Sequence, residues 1–356
     1  MRLLIVTQAV DTDDPVLGFF VRWIEEFSKH VESIEVICLK EGKHDALPAN
    51  VRVHSLGKEK NPPRFARRLM YATRFKLLVW RLRHDYDAVF VHMNPEYIVL
   101  GGAFWRMSGK RIVLWYTHRA VNLKLRIAVA FAHVIVTAAP ESLRIRSAKV
   151  HVLGHGVDTA QFLPSEGMSA FHMPLRLVSV GRITPIKNLD IIIEALNILR
   201  TRGISAELTL VGTATVPSDR VYEQKLRTLI SKRGLDRTIH FRGALPYTEM
   251  PRLYREQDIS VNAAPTGGID KVVLEAMACS VLTLVSNEAF AALFGPECAH
   301  LFFKQNEPQD LAAKIEALYR RDDLPAMKKW VRNQIVQHAS LTALVTKLVN
   351  ILARKS

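Results

Sequence analysis

Leu175-Arg-Leu-Val-Ser-Val180 runs into Gly181-Arg182-Ile-Thr-Pro185-Ile-Lys187-Asn188, and an apolar-periodic run from Leu189 to Leu199 follows. A short apolar run, a loop punctuated by Gly and Pro, and helical spacing after it read as strand, loop and helix. Arg182 is a forked donor suited to phosphate oxygens, Lys187 is a mobile point charge, and Asn188 stands where an N-cap belongs. Such charges suit a diphosphate leaving group. Negative charge grows on it as the bond to it breaks, and fixed cations stabilise that charge most in the transition state.

The same alternation extends in both directions. Apolar, β-rich runs at Leu3–Thr7, Ile34–Leu39, Ala88–His92, Ile112–Tyr116 and Val134–Thr137 are separated by helical stretches. A second series at Leu175–Val180, Glu207–Val211, Ile239–Phe241, Ile259–Asn262 and Val281–Val285 begins after an irregular linker near Thr159 to Pro174. Apolar runs alternating with helices imply parallel sheets covered on both faces. The expected fold is α/β, with two Rossmann-like domains facing across a cleft, and 356 residues suffice for two cores. Ligands of open α/β sheets bind beyond the carboxyl ends of the strands, where Arg182 and His118 both fall.

A second stretch bears on the same chemistry: Gly267-Gly268-Ile-Asp270-Lys271-Val-Val-Leu-Glu275 continues through a short helix into a buried strand ending at Ser286. Gly267 and Gly268 free the backbone to approach a ligand. The helix start near Lys271 offers unpaired N–H groups and about half a positive charge to an anion. Glu275, about one turn further on, is placed to accept hydrogen bonds from a ribose.

Together with Phe241-Arg-Gly243, Asp258-Ile-Ser-Val-Asn262 and Glu275-Ala-Met-Ala, these stretches resemble the retaining glycosyltransferases of family four, which have the two-domain GT-B fold. Arg2-Leu-Leu-Ile-Val-Thr7, Tyr116-Thr-His118 and His155-Gly-Val-Asp158 extend the resemblance over most of the chain. It implies an N-terminal acceptor domain of residues 1–160 joined by a returning helix at about 340–356, and a donor domain of residues 161–339. It implies a hexose moved from a nucleoside diphosphate sugar to an acceptor hydroxyl with retention of configuration. Arg182, Lys187 and Lys271 would hold the diphosphate, Glu275 the ribose, and His118 the sugar, while the glycine-rich turn corresponding to Gly18 would approach the diphosphate and acceptor. No metal or other cofactor is expected.

One position departs from the family's Glu-x7-Glu pattern: Glu275 matches the second Glu, but Gly267 stands where the first belongs. Asp270, three residues on, could supply the missing carboxylate if the Gly-Gly hinge turned it inward. Gly18 also has a plain reading, as the start of a helix whose Phe19, Phe20 and Trp23 pack inward. Asp11-Thr-Asp13 superficially matches a metal-binding Asp-x-Asp pattern, but it lies in the first loop of the expected acceptor domain, and Arg182 with Lys187 already supplies charge. His151 and His155 lack a third ligand, and no Gly-x-Gly-x-x-Gly follows the first strand.

The net charge of +15 favours anionic partners. Much of it lies between Lys60 and Arg83, a stretch with Arg64 and Lys76 but no acidic residue, in which Arg67, Arg74 and Arg81 recur every seven residues. Phe65, Leu69, Ala72 and Val79 are expected to face the core, and the basic face to meet anionic lipid or a phosphorylated acceptor. A lipid-linked saccharide or phospholipid of cell-envelope polysaccharide synthesis is the expected acceptor. Cys38, Cys279 and Cys298 have no metal spacing and are odd in number, pointing to a reducing cytoplasm. The apolar stretch Ile127 to Ala139 falls short of the roughly 18 residues of a spanning helix, so the protein is expected to be cytoplasmic, either soluble or peripheral on the inner face of the membrane. The rival readings are a nucleotide-sugar epimerase of the same fold and a non-catalytic anion-binding scaffold. Trp80 and Tyr71 sit in a helical pattern rather than among base-reading groups, which argues against nucleic acid.

Overall fold

The computed structural model of the protein describes residues 1–61, 63, 65–165, 170–265, 268–291 and 295–354. Gly267 of the donor loop and Arg64 of the basic stretch lie outside them. The chain divides into two compact units, one comprising Met1–Gly156, Pro246–Thr248 and Leu341–Ser356, the other Val157–Leu245 and Glu249–Ser340.

In the first unit β1 (Arg2–Val10), β2 (Ser33–Glu41), β3 (Val51–Ser55), β4 (Ala88–His92), β5 (Arg111–Trp115), β6 (Val134–Thr137) and β7 (Val150–Val152) form one sheet in the order β3-β2-β1-β4-β5-β6-β7. Every neighbouring pair is parallel. Successive residues of β1 face opposite ways: Leu3 and Ile5 pack with Phe20, Phe27 and Phe90, whereas Leu4 and Val6 pack with Phe75, Tyr97 and Trp105. Burial on both faces is why this strand reads as an unbroken apolar run. Helix α1 (Phe19–Ser28) covers the first face, and α2 (Arg67–Arg81), α3 (Pro95–Met107) and α4 (Leu123–Phe131) cover the second. The alternation of apolar runs did not announce β3 and β7, because both are short edge strands whose residues are partly exposed.

The second unit has β8 (Leu175–Val180), β9 (Ala206–Val211), β10 (Ile239–Gly243), β11 (Ile259–Asn262) and β12 (Leu282–Val285), again all parallel, in the order β10-β9-β8-β11-β12. Its helices are α5 (Leu189–Thr201), α6 (Pro217–Arg233), α7 (Met250–Arg255), α8 (Lys271–Ala278), α9 (Pro308–Tyr319) and α10 (Leu324–His338). The last helix, α11 (Leu341–Ala353), buries Leu341, Leu344, Val345, Leu348 and Leu352 against the first unit's core. In each sheet the order of strands reverses once, between β1 and β4 and between β8 and β11. Those reversal points, at the carboxyl ends of the strands, are where ligands of open α/β sheets lodge.

Helix α2 corrects the sequence expectation in part: Val79 faces the core as expected, but Phe65 and Leu69 do not. Phe75 and Val79 are its buried residues, while Phe65 just ahead of it is 93% exposed and Leu69 71% exposed. Leu77 and Trp80 are exposed as well. The helix begins only at Arg67, so Phe65 lies outside it, and its fully buried residues fall in its second half. Steps of eight and three from Leu69 through Leu77 to Trp80 place these side chains along one outward stripe, with Phe65 exposed just ahead of the helix. Arg67, Arg74 and Arg81 are exposed beside it, although Arg74 also donates to the Leu56 carbonyl at 2.9 Å. Among the described residues no helix is long and apolar enough to cross a membrane.

Candidate functional site

The second unit places Arg182 and Lys187 in one groove. The ends of β8 and β9 approach so closely that a Cβ on Gly212 would lie 1.9 Å from the Gly181 carbonyl oxygen, and Gly212 itself has φ +134°. Only glycine tolerates both conditions. The groove is lined by Gly181, Arg182, Ile183, Lys187, Asn262 and Ala263 with the strand ends beneath them, and it has room for about one water molecule (10 Å³). Arg182 is exposed and makes no hydrogen bond or ion pair among the described residues. Lys187 Nζ lies 2.5 Å from Asp270 Oδ2, and that oxygen also accepts from Asn262 Nδ2 at 2.8 Å.

The Asp270 carboxylate thus holds Lys187 and Asn262 together. Asn188 departs from its expected capping role. It precedes α5 in the left-handed conformation, φ 46°, and donates to Asn306 Oδ1 at 2.9 Å without capping the helix. The Tyr222 hydroxyl takes the capping role, accepting from the Leu189 and Asp190 amides at 2.8 and 3.4 Å.

Asp270 stands at the head of α8, and the next residue, Lys271, faces Glu275 one turn on, with 3.5 Å between ammonium and carboxylate. Glu275 is buried, 3% exposed. Burial lowers the Lys271 pKa to about 8, against the pull of Glu275 and of Asp158. Asp158, from the His-Gly-Val-Asp motif, thus acts on this site through its charge, while its carboxylate accepts from the Ala160 and Gln161 amides at 3.0 and 3.2 Å. Gly268 is located by its carbonyl, which accepts from Asn287 Nδ2 at 3.4 Å. Gln305 ties the Pro265 and Ser286 carbonyls at 2.9 and 3.2 Å. Asn262, Asn287 and Gln305 are the polar residues that sequence reading missed here. Asn262 was quoted only as the end of a strand, although a strand-end position is what brings it to the groove.

The first unit holds a separate pocket of about 380 Å³ at its own reversal point, lined among others by Gln8, Asn94, Glu96, Tyr116, His118 and Asn122. That volume lies in the range of small-molecule sites. The backbone turns sharply beyond β4, where Asn94 N–H donates to the His92 carbonyl at 2.9 Å and Met93 between them has φ +65°. A positive φ at Met is uncommon and marks a position held by its surroundings. The turn projects Asn94 toward Gln8, whose amide donates to Asn94 Oδ1 at 2.7 Å. His118 Nδ1 accepts from the Ala120 amide at 3.0 Å, and Tyr116 Oη fixes the same loop by donating to the Ala120 carbonyl at 3.1 Å. With Nδ1 occupied as an acceptor, the network assigns the ring proton to Nε2 and makes that edge a donor.

Gly18 takes the plain reading. It precedes α1, its amide donates to the Asp14 carbonyl at 2.9 Å, and a Cβ there would meet the Asp14 and Thr12 carbonyl oxygens at 2.6 and 2.7 Å. Phe20 and Trp23 are buried behind it. Asp11 is likewise structural. Burial would raise its pKa, but hydrogen bonds from Lys40 and from the Asp13 and Lys43 amides hold it below the usual carboxylate range. Among the described residues no three His, Cys, Asp or Glu side chains are placed to hold a metal. Arg67, Arg74 and Arg81 lie on α2 and take no part in either pocket.

Residues 168–335 match the family model of Glycosyl transferases group 1. This segment is similar to that family. The matched segment contains the whole groove, from Arg182 through Lys187, Asn262 and Asp270 to the Lys271–Glu275 pair. The chain is 26% identical over 213 residues to WcaL of Salmonella typhimurium, a protein assigned by name to colanic acid biosynthesis as a glycosyltransferase, covering 57% of this chain and 51% of WcaL. It is 34% identical over 146 residues to the amylovoran biosynthesis glycosyltransferase AmsK of Erwinia amylovora, covering 39% of this chain and 34% of AmsK. The chain thus spans half the length, or less, of these curated relatives. HepE of Anabaena, solved in complex with UDP, superposes with a TM-score of 0.74 at 18% identity over 99% of this chain and all of HepE, a likeness of fold.

Proposed function

We propose that the protein is a glycosyltransferase that moves a hexose from a nucleoside diphosphate sugar to an acceptor hydroxyl, with retention of configuration and without a metal, in polysaccharide or glycolipid synthesis at the cytoplasmic face of a membrane. The observation that carries this reading is the groove at the β8–β11 reversal point, where a guanidinium with no partner among the described residues and a tethered ammonium share one lining within the matched segment. In that role Arg182 and Lys187 stabilise the charge that grows on the leaving diphosphate, and removing one such donor typically costs about 3 to 4 kcal/mol of transition-state stabilisation. Glu275 receives the ribose once Lys271 turns toward phosphate. The leaving phosphate assists deprotonation of the acceptor. His118 donates from Nε2 to a sugar hydroxyl.

UDP is the first nucleotide to test, because HepE shares the fold and was solved with it. A thermal-shift series with UDP, GDP and ADP and their sugars identifies the base, as a ligand at 100 times its dissociation constant stabilises the folded state by about 2.7 kcal/mol. Product analysis with donor alone and with acceptor then separates transfer from epimerisation. Absence of any shift at millimolar concentrations would refute the reading.

The exposed stripe of α2 supports a membrane partner. Phe65, Leu69, Leu77 and Trp80 offer apolar surface, and Arg67, Lys76, Arg81 and Arg83 surround it with positive charge, the combination that lies in a bilayer interface. Vesicles of phosphatidylglycerol should sediment the protein, and Leu69→Asp with Trp80→Asp should abolish this. Sedimentation insensitive to both salt and these substitutions would contradict it.

A further inference from the structure

The pocket in the first unit bears on a choice that the proposed function leaves open, between an acceptor that ends in a sugar and one that ends in a phosphate. Among the described residues its lining contains no Lys or Arg, and Glu96 is its carboxylate. The other polar side chains of the lining are the amides of Gln8, Asn94 and Asn122, the Tyr116 hydroxyl and the imidazoles of His92 and His118. Gln8 and Asn94 are already oriented by their mutual hydrogen bond, and Asn122 Oδ1 caps α4 by accepting from the Leu125 amide at 2.9 Å, which leaves its NH₂ group as a donor. Leu17, Met93 and Pro95 supply apolar surface between them.

The start of α3 also opens here, and a helix start alone would attract an anion. Glu96 stands in that first turn and already answers the helix's partial positive charge. Lys124 binds Glu96 Oε1 at 3.0 Å from outside the lining, which fixes the carboxylate and leaves Oε2 to accept. A phosphate in the pocket would face this carboxylate and lose its water without gaining a lining cation. A sugar would find acceptors and donors spaced for hydroxyls and an apolar patch for its C–H face.

Resting on the transferase reading, we infer that this pocket receives an uncharged saccharide residue of the acceptor, held by hydroxyl hydrogen bonds to Glu96, Asn94 and Asn122, and that it rejects phosphorylated groups. The acceptor's phosphate, where it has one, lies away from the reacting sugar.

The test is saturation-transfer NMR on the full chain with UDP present to occupy the donor groove. The neutral probes are the methyl glycosides of glucose, galactose and mannose, and the anionic probes are glucose 6-phosphate and glycerol 3-phosphate. At least one neutral glycoside should bind, and bind about tenfold tighter than either phosphate. Glu96→Gln and Asn94→Ala should each weaken it about tenfold, and Glu96→Lys should turn the preference toward the phosphates, with melting curves confirming that the variants fold. Equal or tighter binding of the phosphates to the natural sequence would overturn the inference, as would a failure of all three glycosides or indifference to the Glu96 and Asn94 changes. The UDP titration on the same samples reports separately on the donor groove, so loss of the transferase reading and loss of this inference are distinguishable.

Discussion

Asp270 governs how strongly the groove attracts an anion. It holds Lys187 at 2.5 Å and so keeps the ammonium in the lining, but it also cancels much of its field. Asparagine keeps the shape and removes the charge. Asp270→Asn is expected to bind UDP about fivefold more tightly, an effect near 1 kcal/mol for a partly exposed and screened charge. Calorimetry at physiological salt checks this, and weaker binding would show that the carboxylate serves the ligand directly. Lys271 gives a pH signature. Burial lowers it to about 8 in the folded protein, whereas an unperturbed lysine titrates near about 10.4. Between those values the unfolded chain holds a proton that the folded one has released, so this group's contribution to stability rises with pH. Urea unfolding should therefore show the natural protein gaining stability relative to Lys271→Met as pH climbs through that window. Parallel slopes would contradict the burial of the amine.

Helix α2 shows what an element's own sequence can and cannot tell. Its periodic pattern announced a helix, but two apolar stripes were available, one through Phe65 and Leu69 and one through Phe75 and Val79, and which of them meets the sheet depends on where the chain enters. That entry point is a tertiary fact. Phe75→Ala should destabilise by about 3 to 5 kcal/mol, as a large aromatic lost from a closed core does, while Leu69→Ala should stay within about 0.5 kcal/mol. Denaturant midpoints compare the two directly, and a costly Leu69→Ala would return that residue to the core. The strands were legible for the opposite reason. β1, β4, β8 and β11 are buried on both faces, so their apolar runs leave no choice of side. The strand-end rule that found Arg182 and His118 would also have found Asn94 and Asn262 if applied to every strand. The Lys187–Asp270 pair was not legible because the two residues stand 83 apart and only the folded chain brings them together.

At the scale of the whole molecule, the two parallel sheets each gather polar side chains at the point where their strand order reverses, a narrow groove in one and a pocket of about 380 Å³ in the other, and the two are chemically unlike. One offers cations, the other neutral amides and a carboxylate. This division of labour suits a donor that carries a diphosphate and an acceptor that presents a hydroxyl. The fold was readable from alternating strands and helices, and the anion groove from Gly181-Arg182 and Lys187. The neutral pocket was not, because amides at strand ends carry no motif and acquire meaning only when the sheet gathers them. The most direct test of the account is a calorimetric titration of UDP into the natural protein and into Arg182→Gln and Lys187→Met. The account predicts measurable binding that each substitution weakens at least about tenfold, equivalent to about 1.4 kcal/mol. Binding that ignores both changes, or no binding at millimolar UDP, would contradict it.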